Sequence, residues 1–232
     1  MSEVPVLDAR GYPRSVATMP GFHAGRPPRN RGRRYPADPP TTDELVRLLR
    51  GCPDSASGER LRALIVLLWR SGLRISEALA LEERDLDAES GSITVRRGKG
   101  GRRRIVGMDP WGWTQLKHWN ARRETLPPGP YFCVIEGPTS GRPMAASLVR
   151  EQLRTLQRRC GIRRRIAPHQ LRHCHAVELV REGVPVYILQ RQLGHANLAV
   201  TTVYLSSVAP EEVLAIAHQR RQPTVQITNL LE

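Results

Sequence analysis

The stretch Ser92-Ile-Thr-Val-Arg-Arg-Gly-Lys-Gly-Gly-Arg-Arg-Arg-Ile-Val-Gly-Met108 decides the fold class. Residues 92–97 and 102–108 are short runs containing β-branched and apolar side chains. Gly98, Lys99, Gly100 and Gly101 between them supply the freedom a tight reversal needs, so the segment reads as an antiparallel hairpin with Lys99 at its tip. Helical signals surround it. Upstream, Thr41-x-x-Glu44 is a capping box opening a helix through Leu45, Val46, Leu48 and Leu49 to about Gly51. The almost wholly apolar run from Glu59 to Arg70 predicts a core helix stopped by Ser71-Gly72. Arg74 follows on a turn, Ser76 is placed to cap a short helix through Leu81, and Glu82 to Glu89 read as an acidic, solvated loop. Downstream, Asp109-Pro110 opens a helix over 111–123, and Tyr131 to Ile135 predicts a third strand. Helices are then expected over 145–160, 168–182, 185–193, 198–204 and 210–219. The fold class is therefore α+β, predominantly α-helical, with a small antiparallel sheet in the middle of the chain.

The ends read differently from this core. Residues 1–40 are rich in Pro, Gly and Arg, with GRPPRNRGRR at 25–34 and no apolar period. They predict a flexible basic arm, either following a phosphate backbone or serving as a solubilising tail. The folded domain is expected over 41–232. Its 210–232 tail carries Val213, Leu214, Ile216 and Ala217 on one face, for packing on its own domain or on a neighbouring protomer. Thr224 to Thr228 is open between strand and tail.

Composition narrows the function. The 232 residues suffice to bury a core without disulfides, and the four cysteines, at 52, 133, 160 and 174, show no CxxC pairing, so a reduced, cytoplasmic protein is expected. The first residues lack a signal-peptide pattern and the longest apolar run, Ala63 to Trp69, is too short to span a bilayer. A net charge of +14 points to a polyanion, with nucleic acid ahead of an anionic membrane surface. The cations are 34 arginines and two lysines, Lys99 and Lys117, a ratio that suits a GC-rich genome. Most arginines, those at 26–34 and 163–165 included, are expected to position phosphates.

Several side chains suggest chemistry. His169 and Arg172 stand three apart at the start of the helix opening at Pro168, where backbone N–H groups and the helix dipole would assist a guanidinium in holding an anion. His195 follows the helix-closing Gly194, and Tyr204 lies nine residues further on. The clustered acids Glu82, Glu83, Asp85, Asp87 and Glu89 share one loop and do not suggest a metal site. His173-Cys174-His175 is rejected as one because adjacent helical residues point in different directions.

Taken together, SGLRISEAL at 71–79, RGKGG at 97–101, HQLRH at 169–173 and LGHANLAVTTVYL at 193–205 resemble the tyrosine recombinase, or phage integrase, family, in the family's order and over about residues 41–220. The resemblance implies a catalytic-domain fold of that family. It also implies that Arg74 and Arg172 grip the scissile phosphate, flanked by His169 and His195. By the same resemblance Lys99 would protonate the leaving 5′ oxygen, Tyr204 would be the nucleophile, and Glu77 would orient the first arginine. It further implies double-stranded DNA as partner, a homotetramer on paired sites, a directionality or accessory protein, and a location at the bacterial nucleoid or in the host cytoplasm of a phage. No metal and no cofactor are expected, because the covalent link conserves the phosphodiester bond energy and no GxxxxGK[ST] loop is present. Two departures accompany the likeness: forty Pro- and Arg-rich residues cannot fold as the core-binding domain many relatives carry, and Leu205-Ser206 follows the tyrosine where many relatives place a histidine two residues on. The alternatives are a DNA-binding regulator that keeps the fold, and a type IB topoisomerase-like activity.

Overall fold

The computed structural model describes residues 39–96, 98 and 103–194. Nearly all of the expected arm, Lys99, His195, Tyr204, the helices expected over 198–204 and 210–219, and the 210–232 tail lie outside the described residues.

The described chain runs α1 (Thr42–Gly51), α2 (Ala56–Ser71), α3 (Ile75–Ala78), a 3-10 turn (Glu83–Asp85), β1 (Leu86–Asp87), β2 (Ser92–Val95), β3 (Arg104–Gly107), α4 (Pro110–Arg123), α5 (Ala146–Arg159), α6 (Pro168–Arg181) and α7 (Val186–Leu193). Helix α1 starts where its capping box places it: the Thr41 hydroxyl accepts from the Glu44 N–H, and the Glu44 carboxylate accepts from the Thr41 N–H at 2.9 Å. Helix α2 begins three residues before the expected Glu59, because the Ser55 hydroxyl caps it by accepting from Gly58 N–H.

Helix α2 is the axis of the core. Leu64, Ile65, Val66, Leu67 and Leu68 are all buried, and the helix packs against α4 and α6 while α1 packs against α5. A cation ties the three central helices together. Arg70 of α2 donates to Asp109, the N-cap of α4, at 2.7 Å and to Glu178 of α6 at 3.1 Å, while Glu178 also accepts from the Trp69 indole at 2.8 Å. The Arg70 guanidinium lies over the rings of Trp69 and Trp111, adding cation–π attraction to the ion pairs.

The sheet is antiparallel with strand order β1-β2-β3, and the hairpin pairs Ser92 with Gly107 and Val95 with Arg104. Its third strand is Leu86–Asp87, not Tyr131 to Ile135. The latter segment is apolar because Tyr131, Phe132 and Cys133 are buried, yet its backbone bonds go to loops: Tyr131 N–H to Leu81, Val134 N–H to Arg142. Buried Arg123 braces the approach to it by donating to the carbonyls of Leu126, Gly129 and Pro130.

Two further expectations are corrected. Arg74, not Ser76, is the N-cap of α3, because the Glu77 carboxylate reaches back to the Arg74 N–H at 2.9 Å. The acidic segment is only in part a solvated loop: Glu83, Asp87 and Glu89 are exposed, but its other acids are engaged. Asp85 is buried, accepts from the Glu82 N–H at 2.8 Å and pairs with Arg96, which also holds Glu82 at 2.7 Å. Among the described residues no helix is long and apolar enough to cross a membrane.

Candidate active site

Two helix ends and a strand edge build the site. Helix α2 terminates at Gly72 in the left-handed region, φ 65°, and α7 terminates at Gly194, φ 64°. The last carbonyls of a helix have no partners further along it. Arg172, on α6 and 6% exposed, takes one carbonyl from each end: Nη1 donates to Gly72 at 2.6 Å and Nη2 to Leu193 at 2.6 Å. A guanidinium suits this place because the C-terminal poles of two helices converge there, each favouring positive charge. The expectation that Arg172 works with the N-terminus of its own helix is thus corrected. Arg172 is carried on α6 but seated on the C-termini of α2 and α7.

Arg74 follows two residues after Gly72 and reaches the next carbonyl of the same terminus, Nη2 to Gly194 at 3.4 Å. The structure therefore brings the two predicted arginines onto the consecutive carbonyls of Leu193 and Gly194, one residue before His195.

Glu77 lies in contact with Arg74 and holds a second arginine as well. Its side chain is 3% exposed and accepts four hydrogen bonds. Two come from Arg74, through Nη1 and the backbone N–H, both at 2.9 Å, and two from Arg104, through Nη1 at 2.9 Å and Nη2 at 2.8 Å. Burial alone would raise the Glu77 pKa, but the Arg104 and Arg74 bonds outweigh it and hold it down at about 2.

His169 sits at the second position of α6, exposed, with its ring edge-on to His173 at 5.6 Å between centroids. Partial desolvation and the Arg165 charge push its pKa below the usual imidazole value, leaving the ring neutral near pH 7. Behind the site, His175 is buried with its Nε2 unbonded, and it packs where a Gly72 side chain would go. Burial, then the charges of Arg70 and Arg172, push its pKa down to about 4. Among the described residues no three His, Cys, Asp or Glu side chains gather as a metal site.

The sequence reading missed two residues. Arg104 lies in the run Arg102-Arg103-Arg104, where only strand alternation separates the inward arginine from its neighbours. Gln192 covers the outer edge of β3: its Oε1 accepts from Gly107 N–H at 3.1 Å, and its Nε2 donates to the carbonyls of Gly107 at 2.8 Å and Ser71 at 3.3 Å. No motif announces it.

Residues 41–210 match the model of the phage integrase family. The tyrosine recombinase XerA of Pyrococcus furiosus is 31% identical over 192 residues, covering 83% of this chain and 62% of that protein. The tyrosine recombinase XerC of Xanthomonas campestris pv. campestris is 35% identical over 162 residues, covering 70% of this chain and 49% of that protein. The chain thus spans between about half and two thirds of the length of these relatives. The crystal structure of XerA recombinase superposes with a TM-score of 0.67 at 26% identity, covering 87% of this chain and 73% of that one. A helical domain with a three-stranded sheet, two arginines seated on one helix terminus, and a family match over most of the chain lead to one conclusion: this chain belongs to the phage integrase family of tyrosine recombinases.

Proposed function

We propose that this chain is a site-specific DNA recombinase that cuts and rejoins strands through a 3′-phosphotyrosyl intermediate. The observation that carries this reading is the seating of Arg74 and Arg172 on the consecutive carbonyls of Leu193 and Gly194. Two guanidiniums fixed on one terminus offer their charge, and the N–H groups not spent on these carbonyls and Glu77, to the non-bridging oxygens of one phosphate, where charge accumulates as a fifth oxygen approaches phosphorus. In this reading the Tyr204 phenol oxygen attacks phosphorus, the bond to the 5′ oxygen breaks, and a 3′-phosphotyrosyl ester forms. The phenol proton passes to His169, whose lowered pKa leaves it neutral to accept. Lys99 returns a proton to the departing 5′ oxygen, and His195 donates a hydrogen bond to the phosphate. Attack by a 5′ hydroxyl from another duplex reverses these steps and completes exchange, so no metal or nucleotide enters the balance.

The partner is double-stranded DNA, and the assembly is a homotetramer on two paired sites, because two strands are exchanged in each of two duplexes. A directionality or accessory protein completes the reading, with the nucleoid or a phage-infected host cytoplasm as its place of action. The test uses nicked suicide duplexes with randomised arms, from which the wild-type chain selects its own site. Wild type is expected to form a covalent adduct stable on denaturing gels, and Tyr204→Phe none. DNA binding by the wild type without any adduct would leave a DNA-binding regulator. Relaxation of one plasmid without exchange between two sites would leave a topoisomerase.

A further inference from the structure

Glu77 and its two arginines form a cluster of one negative and two positive charges, and the arginines are not equivalent. Arg104, 12% exposed, holds both carboxylate oxygens with its two terminal nitrogens. Arg74, 27% exposed, gives the carboxylate only Nη1 from its guanidinium. A carboxylate accepts the two-point fork of one guanidinium at a time, and that fork is the strongest pairing it makes. If Arg104 were absent, the fork would be open to Arg74, which is already in contact. Glu77 would then neutralise Arg74 and turn both its terminal nitrogens inward.

Arg104 is also seated too closely to be an incidental surface cation. Its Nε donates to the Gln192 carbonyl at 3.4 Å. Its guanidinium lies against Gly194, where an added Cβ would stand 2.8 Å from Nε and 2.9 Å from Cζ. The absence of a side chain at Gly194 therefore makes room for Arg104 beneath the same terminus that seats Arg74 and Arg172.

We propose that Arg104 is a positioning residue for phosphate activation: by taking the two-point grip on Glu77, it leaves Arg74 with an edge of its guanidinium and a charge only partly neutralised for the scissile phosphate. This rests on the recombinase reading, and Arg104 acts only through Glu77 and Arg74. A further consequence separates it from a simple brace. Once Arg104 is gone, Glu77 becomes a competitor of the phosphate, so removing its charge helps rather than harms.

The experiment measures single-turnover adduct formation by the full chain at saturating protein, on a suicide duplex that the wild type has been shown to cleave. Arg104→Met, which keeps the aliphatic stem, is expected to slow cleavage by about 10- to 100-fold, on the scale of losing a transition-state donor. DNA affinity should stay within about threefold, since a cation 12% exposed and forked onto Glu77 has little surface to offer a phosphate. Glu77→Gln alone is expected to slow cleavage, whereas Glu77→Gln added to Arg104→Met should speed it relative to Arg104→Met. Arg104→Lys retains the charge without the fork and is expected to fall between, with the same response to Glu77→Gln; it serves if Arg104→Met does not fold. Cleavage by a folded Arg104 variant within about threefold of wild type overturns the proposal. So does a double variant no faster than its Arg104 parent. A wild type that forms no adduct with any duplex sinks the recombinase reading itself.

Discussion

Buried Glu77 and His175 bring acid sensitivity to the region around the arginines. Both have folded-state pKa values below those of the unfolded chain: His175 moves from 6.5 to about 4 and Glu77 from 4.5 to about 2. Between each pair of values the unfolded chain binds the extra proton, so stability is full above the unfolded value and is lost as pH falls through the folded one. His175 acts first, from about pH 6.5 down to about 4, and Glu77 follows from about 4.5 down to about 2. Each shift corresponds to roughly 3 kcal/mol at most. A plot of chemical-denaturation stability against pH is expected to bend at both windows, with His175→Gln flattening the upper and Glu77→Gln the lower. A flat wild-type profile between pH 6.5 and 4 would contradict this placement of His175. At this scale the sequence was legible where the chemistry names the residue type. Arg74 and Arg172 stand in motifs that resemble those of the family, while Arg104 binds a carboxylate within the chain and left no such mark. The pattern Arg-Ile-Val-Gly does not say whether Ile105 or Val106 faces the core; the structure buries Val106 and exposes Ile105, and so turns Arg104 inward.

Among the elements, α2 matters most through its end. Gly72 is left-handed, its carbonyl accepts from Arg172, and a Cβ there would lie 2.4 Å from His175 Cδ2 and 3.0 Å from Leu193 Cδ2. Gly72→Ala combines left-handed strain of about 1–2 kcal/mol with overpacking of similar size, a loss of about 3 kcal/mol. Denaturation should show that loss, together with weaker cleavage, because the displaced carbonyl is one of the two that seat Arg172. Unchanged stability would mean that His175 and Leu193 can withdraw. Helices were readable because caps and stops are local: Thr41 with Glu44, Asp109 with Pro110, and the terminating glycines. The third strand was not. An apolar run such as Tyr131 to Ile135 reports burial, whereas pairing depends on which chain lies alongside, and β2 found Leu86–Asp87 next to it. Likewise the ion pairs of Asp85 and Glu82 with Arg96 joined acids and a cation too far apart along the chain to be read as partners.

For the whole molecule, the arginine excess divides into framework and surplus. Arg70, Arg96, Arg104, Arg122, Arg123 and Arg164 are all paired with carboxylates, and Arg123 and Arg164 also brace backbone carbonyls. Arg164 was expected to position phosphate and is instead bound to Glu44 and the Pro39 carbonyl. Such pairing ties these six arginines to eight of the 22 acids, so the net charge of +14 is carried by the cations outside this framework. If these contact six or more phosphates, duplex affinity should fall by about three orders of magnitude or more between roughly 50 and 200 mM salt. A titration at several ionic strengths checks this, and a flat response would remove phosphate contact as the source of affinity.

The Gln192 clasp gives that salt response a clear meaning. An uncharged amide joins the carbonyl of Ser71 to both backbone groups of Gly107, linking the end of α2, the edge of β3 and the end of α7 through neutral hydrogen bonds alongside the Arg104–Glu77 ion pair. Counterions that screen contacts with DNA have nothing to screen in those neutral bonds. Loss of duplex binding in concentrated salt is therefore expected to leave these bonds intact, and a binding titration after dilution should recover the original affinity.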